Sequence, residues 1–100
     1  MMFRFATLFA ATALAAMPAA ASTLFTAELQ TPVEETTRIA AYDAIWICQA
    51  DTCEAVLNRR TATVRVCKRV VEELGPINAF GTNTDPLTED EITECNASLN

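Results

Sequence analysis

Three hydrophobic patterns follow one another along the chain, and the first is a mostly apolar run over residues 5–17 with no charged or strongly polar residue. Arg4 precedes this run, Pro18 ends it, and alanines occupy positions 19–21. A basic start, a short apolar run and a small-residue cleavage site are typical of a secretory signal peptide. A helix of that length spans only about 20 Å, which is too short for a bilayer core. We therefore predict a signal peptide over residues 1–21, cleaved before Ser22, with no transmembrane segment after cleavage and a periplasmic or secreted product.

The second pattern alternates apolar and polar residues, which indicates β-strands. It covers residues 24–29, while 42–48 and 52–57 are rich in residues that favour strands. The polar stretch 30–38 contains Pro32, so we predict a loop or bend there. The face of the first strand that should be buried carries Phe25, Ala27 and Leu29.

Trp46 is the expected core anchor of the second predicted strand. Its neighbours on the same face are small or apolar and leave room for an indole. These neighbours are Ala44, Cys48, Cys53, Ala55 and Leu57.

The third pattern has a period of 3.6 residues and predicts an amphipathic helix over Thr63–Leu74. Its apolar residues fall within one arc of about 160° on a helical wheel, and charged residues fill the other side. Gly75 and Pro76 form a stop signal, because glycine suits a left-handed cap and proline cannot continue a helix. The apolar arc consists of Val64, Val66, Cys67, Val70, Val71 and Leu74.

A second helix is predicted to begin after Thr88, which has the spacing of a capping box with Glu91. Leu87 and Ile92 are placed to form a hydrophobic staple around this cap. Between the two helices, residues 77–80 predict a brief strand or extended segment, and a loop follows. The apolar stripe of the second helix carries Ile92, Cys95 and Leu99.

Residues 22–100 therefore predict a single small α+β domain, in which a β-hairpin packs against two helices. The first strand would extend the hairpin to three strands. A chain of this size buries only about 60 to 65 per cent of its unfolded surface and needs further stabilisation. Four cysteines in an exported chain would supply it as disulfide bonds.

Cys48 and Cys53 lie on either side of the predicted hairpin turn. A two-residue loop at Ala50-Asp51 would place them at a non-hydrogen-bonded pair, where side chains on neighbouring strands approach closest. Ala-Asp is not a favoured sequence for such a turn, so a four-residue loop closed by the disulfide is an equal alternative.

Cys67 and Cys95 each lie at the centre of a predicted apolar helix face, from which two packed helices can be cross-linked. Of the three possible connectivities, Cys48–Cys53 with Cys67–Cys95 agrees best with local geometry. The other two would pull the hairpin cysteines, which share one face, towards two separate helices.

Zinc binding and thiol chemistry are the competing roles for these cysteines. Four-cysteine zinc sites usually contain two close CxxC pairs, whereas the spacings here are wider and the chain has no histidine. Thiol oxidoreductases usually carry CxxC at a helix start, and a CxxxxC hairpin lacks that device. We predict no metal site, and we keep thiol activity of Cys48 and Cys53 in envelope redox traffic as the alternative function.

No catalytic residue or cofactor motif is evident in the sequence. Histidine, the commonest general base, is absent, and so are a nucleophile elbow, a phosphate-binding loop and a dinucleotide fingerprint. After removal of the signal peptide the chain is acidic, with six basic and thirteen acidic residues and a net charge of −7. Such a balance disfavours nucleic acid as a partner. The predicted function is a non-enzymatic binding or interaction module of the cell envelope, with no cofactor.

The basic residues are concentrated in one segment. Residues 59–69 contain no acid and hold five of the six bases: Arg59, Arg60, Arg65, Lys68 and Arg69. One interpretation is a basic face for an anionic envelope partner, such as lipopolysaccharide, anionic lipid or an acidic patch on a protein. The favoured interpretation is neutralisation within the helix, because Lys68–Glu72 and Arg69–Glu73 have the i,i+4 spacing of ion pairs.

A set of marker residues recurs in order over residues 44–97. The markers are Trp46-x-Cys48-x4-Cys53, then Cys67 followed by basic residues, Gly75-Pro76, Phe80 and Cys95-Asn96. This order resembles a family of short exported alphaproteobacterial proteins of unknown function. The resemblance implies a four-cysteine envelope domain with no catalytic residue to transfer. Ile47 replaces the polar residue expected between Trp46 and Cys48, which suggests that this face of the sheet is more covered here.

Overall fold

The computed structural model describes residues 22–100, so the predicted signal peptide lies outside the described residues. The sheet has the strand order β2-β3-β4-β1-β5, and each neighbouring pair is antiparallel. Within the described part of the chain, no helix is long and apolar enough to cross a membrane. The elements are β1 (Thr23–Leu29), β2 (Thr37–Ala41), β3 (Ala44–Gln49), β4 (Thr52–Leu57), α1 (Val64–Leu74), β5 (Ile77–Gly81) and α2 (Glu89–Ala97).

The α+β class is confirmed, but the predicted hairpin of two or three strands is too small, because the sheet has five strands. Residues 37–41, assigned partly to a loop, form β2 and pair with β3. The strand predicted over residues 42–48 begins only at Ala44. Tyr42 and Asp43 instead form a two-residue turn, with φ values of 52° and 58°. Sequence reasoning missed this turn because Tyr-Asp is not the Asn-Gly type that such turns prefer.

The short strand predicted after α1 joins the sheet as β5, at the edge beside β1. Gly81 ends this strand and forms a bridge with Pro86, whose backbone lies where a side chain at position 81 would project. Gly81 also has a φ of 155°, which L side chains rarely adopt. The loop that leads into α2 is therefore held against the edge of the sheet.

Both helices start where the sequence predicts. Thr63 is the N-cap of α1, and Thr88 and Glu91 form the predicted capping box of α2. Leu99, however, lies beyond the end of α2 and is 39% exposed. The buried stripe of α2 therefore ends at Cys95 rather than extending to Leu99.

The core lies between one face of the sheet and the two helices. Helix α1 packs against β2, β5 and α2, and α2 packs against β5. Trp46 is fully buried, as predicted, with its ring centroid 6.1 Å from that of Phe80. On the opposite, outer face of the sheet, Ile47 is 37% exposed. No described element supplies the cover that the sequence suggested for this face.

The two disulfides have the predicted pairing. Cys48 and Cys53 face each other across β3 and β4 with 4.0 Å between their Cα atoms, and the loop between these strands has two residues. The hairpin therefore has the two-residue loop and not the four-residue loop. Cys67 and Cys95 join α1 to α2 with 5.9 Å between their Cα atoms. All four side chains are fully buried.

Candidate functional site

The turn between β2 and β3 holds Tyr42 in an unusual backbone conformation. Its φ of 52° is in the left-handed region, where bulky residues are uncommon because the side chain crowds the backbone. Ala41 and Ala44 pair on either side of the turn and fix its position. Backbone conformations of this kind persist where the surrounding structure enforces them, and they cluster at functional sites.

Two arginines lie over the ring of Tyr42. The guanidinium carbon of Arg59 is 5.2 Å from the ring centroid, and that of Arg69 is 5.8 Å from it. Both distances are within the range of cation–π attraction, about 6 Å. An arginine that lies against an aromatic ring keeps its N–H edge available for a carboxylate or a phosphate. We call Tyr42, Arg59 and Arg69 the Tyr42 cluster.

The Tyr42–Asp43 turn forms a ridge between two surface clefts, and both residues line both clefts. The cleft on the α1 side has a volume of about 460 Å³ and is lined by Arg69 together with Glu72 and Glu73. With Asp43, it therefore combines one guanidinium with three carboxylates.

The second cleft, beside β4, has a volume of about 340 Å³. It is lined by Arg59, Val56 and Leu57 in addition to the two turn residues. The lining of this cleft includes one arginine and one acidic residue, Asp43, and its walls are partly apolar. This cleft is the more favourable of the two for an anionic group.

The structure brings together two of the five residues of the predicted basic face. Arg59 comes from the β4–α1 loop and Arg69 from α1, and they meet only at Tyr42. Lys68 points towards α2, where its Nζ is 4.0 Å from Oε2 of Glu94. Arg60 and Arg65 are exposed, and within residues 22–100 neither makes an ion pair.

The predicted neutralising pairs, Lys68–Glu72 and Arg69–Glu73, are not among the ion pairs of residues 22–100. Lys68 contacts Glu94 of the neighbouring helix instead, and Arg69 lies over Tyr42. Exposed i,i+4 pairs contribute only about 0.3–0.5 kcal/mol, so tertiary contacts readily replace them. The favoured interpretation of the basic segment is therefore wrong in these two pairs.

Sequence reasoning missed Tyr42, the residue on which the cluster is built. The residues rich in strand formers over 42–48 predict a strand that includes Tyr42, and this prediction obscures the turn. The sequence carries no clear signal for a strand that ends at Ala41, because residues 38–41 read Arg-Ile-Ala-Ala and do not alternate in polarity beyond Ile39.

The cysteines form no accessible reactive site. Cys48 and Cys53 are disulfide-bonded and fully buried, and thiol–disulfide exchange requires access to a sulfur. In the part of the chain that the structure describes, no group of three or more Cys, Asp or Glu side chains is arranged to hold a metal ion.

These observations define a small α+β domain with two disulfides and an arginine–tyrosine cluster at the turn between β2 and β3. Comparison with protein families places residues 7–97 in a family of unknown function, DUF8200, and the chain belongs to that family. This agrees with the resemblance to a family of unknown function, whereas the expected restriction to exported alphaproteobacterial proteins stays a prediction. No curated protein and no solved structure matches the chain.

Proposed function

We propose that the mature chain is an exported, non-enzymatic interaction module of the cell envelope, which binds an acidic segment of a partner protein at the Tyr42 cluster. The observation that carries the proposal is the convergence of Arg59 and Arg69 over the Tyr42 ring. The two arginines are ten positions apart in sequence. Their meeting at a residue with positive φ gives the site a fixed geometry at a protruding turn.

The chemistry of the cluster suits protein recognition. Tyrosine and arginine are the residue types most enriched, with tryptophan, among those that dominate binding energy at protein interfaces. Arg59 can donate its N–H groups to a partner carboxylate while its flat face stays against Tyr42. Val56, which is 61% exposed, lines the same cleft and provides apolar contact beside the charge.

The net charge of the chain favours a protein partner over a membrane surface. Thirteen acids against six bases in residues 22–100 give long-range repulsion from an anionic bilayer. Basic residues near an anionic membrane contribute about 1 kcal/mol each, and the Tyr42 cluster supplies two. A short acidic segment of a partner protein can contact the Tyr42 cluster alone, whereas an extended anionic bilayer would also approach the acidic remainder of this chain.

The test is binding of a polyglutamate peptide, followed by amide chemical shifts in NMR spectra, with a polylysine peptide and phosphatidylglycerol vesicles as comparisons. We expect polyglutamate to shift the resonances of Tyr42, Arg59 and their neighbours. The variant Arg59→Ala/Arg69→Ala should weaken binding by about tenfold or more. Arg38→Ala removes an exposed base on the outer face of the sheet and is the matched control.

Binding that survives the double substitution, or that Arg38→Ala weakens equally, would overturn the proposal. Preference for the vesicles over the peptide would replace the acidic protein with a membrane. Arg59→Lys/Arg69→Lys separates charge from geometry, because lysine keeps the charge but not the planar fork. We expect these lysines to restore binding only in part.

Export has its own test, which is N-terminal sequencing of protein recovered from the periplasm or the medium. A first residue of Ser22 supports the proposal, and an intact Met1 opposes it. The alternative function, thiol exchange at Cys48 and Cys53, has less support because both sulfurs are buried. Rapid reaction of native protein with a thiol-specific reagent after mild reduction, confined to this pair, would favour the alternative.

A further inference from the structure

Ser22 lies at the end of the sheet that carries the Tyr42 cluster. It directly precedes β1, whose first residue, Thr23, pairs with Leu57 at the end of β4. Arg59 follows the end of β4 by two positions, so the antiparallel pairing brings it to the same end of the sheet as Ser22. Ser22 accordingly lines the same cleft as Arg59, the one beside β4 with a volume of about 340 Å³.

Cleavage of the predicted signal peptide would change the charge of this cleft. A signal peptidase hydrolyses the amide bond before Ser22, a reaction that consumes one water molecule and leaves the new carboxyl group on Ala21. Ser22 keeps the new α-amino group, which takes up a proton from solvent at pH values below about 8. A neutral amide nitrogen, on a residue that lines the cleft, thereby becomes an ammonium group.

The charges that already line the cleft balance one another. Among the described residues, the charged side chains of its lining are those of Arg59 and Asp43, and Tyr42 is the one other titratable group. While the signal peptide is attached, one positive side chain and one negative side chain therefore line the cleft. Cleavage adds a second positive group and leaves the lining with an excess of one positive charge, which favours an anionic ligand.

We propose that removal of the signal peptide completes the anion site, because the α-ammonium group of Ser22 then joins Arg59 in binding the acidic segment. This inference rests on the proposed function and adds to it a dependence on processing. The α-ammonium group belongs to the backbone next to the β1–β4 ladder, so less freedom is lost on binding than at the end of a flexible side chain. The site gains its full affinity only after export, and the unprocessed chain binds less tightly.

The single lysine of the sequence, Lys68, makes it possible to modify the α-amino group selectively. In Lys68→Arg protein recovered after export, the α-amino group is the one amine left for reagents that modify amines. Arginine keeps the positive charge near Glu94, so the contact between the helices is retained. Acetic anhydride acetylates the α-amino group and removes its charge. Reductive dimethylation adds similar bulk but keeps the charge, and is the matched control.

The test is the affinity for labelled polyglutamate, measured by fluorescence anisotropy at low salt. At about pH 6.5, where the amino group is charged, we expect acetylation to weaken binding about threefold, the contribution of one exposed ion pair, and dimethylation to change it little. At about pH 9 the unmodified protein should lose a similar factor, because its amino group is then neutral. The acetylated protein should not, and any pH dependence of Tyr42, Asp43 or Arg59 would appear in both forms.

Each contrary result has its own meaning. Equal binding by the acetylated and unmodified proteins overturns the role of Ser22 and leaves the proposed function intact. Equal weakening by acetylation and by dimethylation attributes the effect to bulk, and it also overturns this role. Absence of polyglutamate binding by every form overturns the proposed function and this inference with it. An exported protein that begins at a residue other than Ser22 overturns the inference before any binding is measured.

Discussion

The indole N–H of Trp46 donates a hydrogen bond to the carbonyl oxygen of Ala41, with 3.2 Å between nitrogen and oxygen. Ala41 is the last residue of β2, and Tyr42 follows it. A buried indole needs a partner for its N–H, and here the partner is the backbone that enters the turn. The largest side chain of the core therefore also positions the residue on which the candidate site is built.

Replacing Trp46 should affect both stability and the turn. Trp46→Ala is expected to lower the free energy of unfolding by about 3 to 5 kcal/mol, because it leaves a large cavity. Trp46→Phe keeps much of the apolar volume but leaves the Ala41 carbonyl without its indole donor, at a cost of about 1–3 kcal/mol. Urea unfolding measures both values, and the Tyr42 resonances should shift in Trp46→Phe. Tryptophan emission like that of free indole in water would contradict the burial of Trp46.

The disulfide pairing can be read from a tryptic digest of unfolded, non-reduced protein. Cleavage after Arg38 and Arg59 releases residues 39–59, which should contain Cys48–Cys53 as an internal bond. Residues 66–68 should be linked to 70–100 through Cys67–Cys95. A peptide 39–59 joined to either of the other two before reduction would show that the pairing is wrong.

The two disulfides should differ in their contribution to stability. The chain-entropy model assigns about 3.5 kcal/mol to Cys67–Cys95, which closes a separation of 28 residues, and about 2 kcal/mol to Cys48–Cys53, which closes a separation of 5. Denaturant unfolding of Cys67→Ala/Cys95→Ala and of Cys48→Ala/Cys53→Ala compares them directly. Equal losses would mean that strain or residual unfolded structure, rather than loop length, determines the effect.

The sequence predicts those features of the fold that depend on residues close together in the chain. The capping box of Thr88 and Glu91 involves residues three positions apart, and it was found. The same holds for the Cys48–Cys53 hairpin. Strand β2 was missed because it depends on a turn that Tyr42 adopts at positive φ, with support from Trp46 across the sheet.

The sequence predicts the arginines of the candidate site but not their contact with Tyr42. The basic composition of residues 59–69 is a local signal, and it pointed to Arg59 and Arg69. Arg69 reaches Tyr42 because α1 packs against β2, and Arg59 reaches it from the β4–α1 loop. No spacing in the sequence reveals either contact. Tertiary contacts also explain why Lys68 pairs with Glu94 instead of its helical neighbour.

A glycine at position 50 should stabilise the protein. Ala50 is exposed at a φ of 53°, where an L side chain costs about 1–2 kcal/mol and glycine costs little. Ala50→Gly is therefore expected to raise the free energy of unfolding by up to about 1 kcal/mol after the entropy cost of glycine. Ala40→Gly, at an exposed strand position, is the matched control and should lower it by about 0.5–1 kcal/mol. Two changes of the same sign would refute the conformational argument.

The side chain of Asn96 acts as a strand partner for the backbone of β5. Its Oδ1 accepts a hydrogen bond from the N–H of Ile77 at 3.0 Å, and its Nδ2 donates to the carbonyl of Ile77 at 2.8 Å. Ile77 is fully buried, and both bonds are partly shielded from water. Asn96 thus links the end of α2 to the edge strand β5 through two hydrogen bonds to the backbone of Ile77.

Asn96→Ala should remove both bonds and lower the free energy of unfolding by about 2–3 kcal/mol. Asn78→Ala, an exposed asparagine one position beyond Ile77, should change it by less than about 0.5 kcal/mol. Amide hydrogen exchange at Ile77 reports the same bonds locally and should become faster in Asn96→Ala than in Asn78→Ala. If the two variants are equally stable and protect Ile77 equally, the link between α2 and β5 does not depend on Asn96.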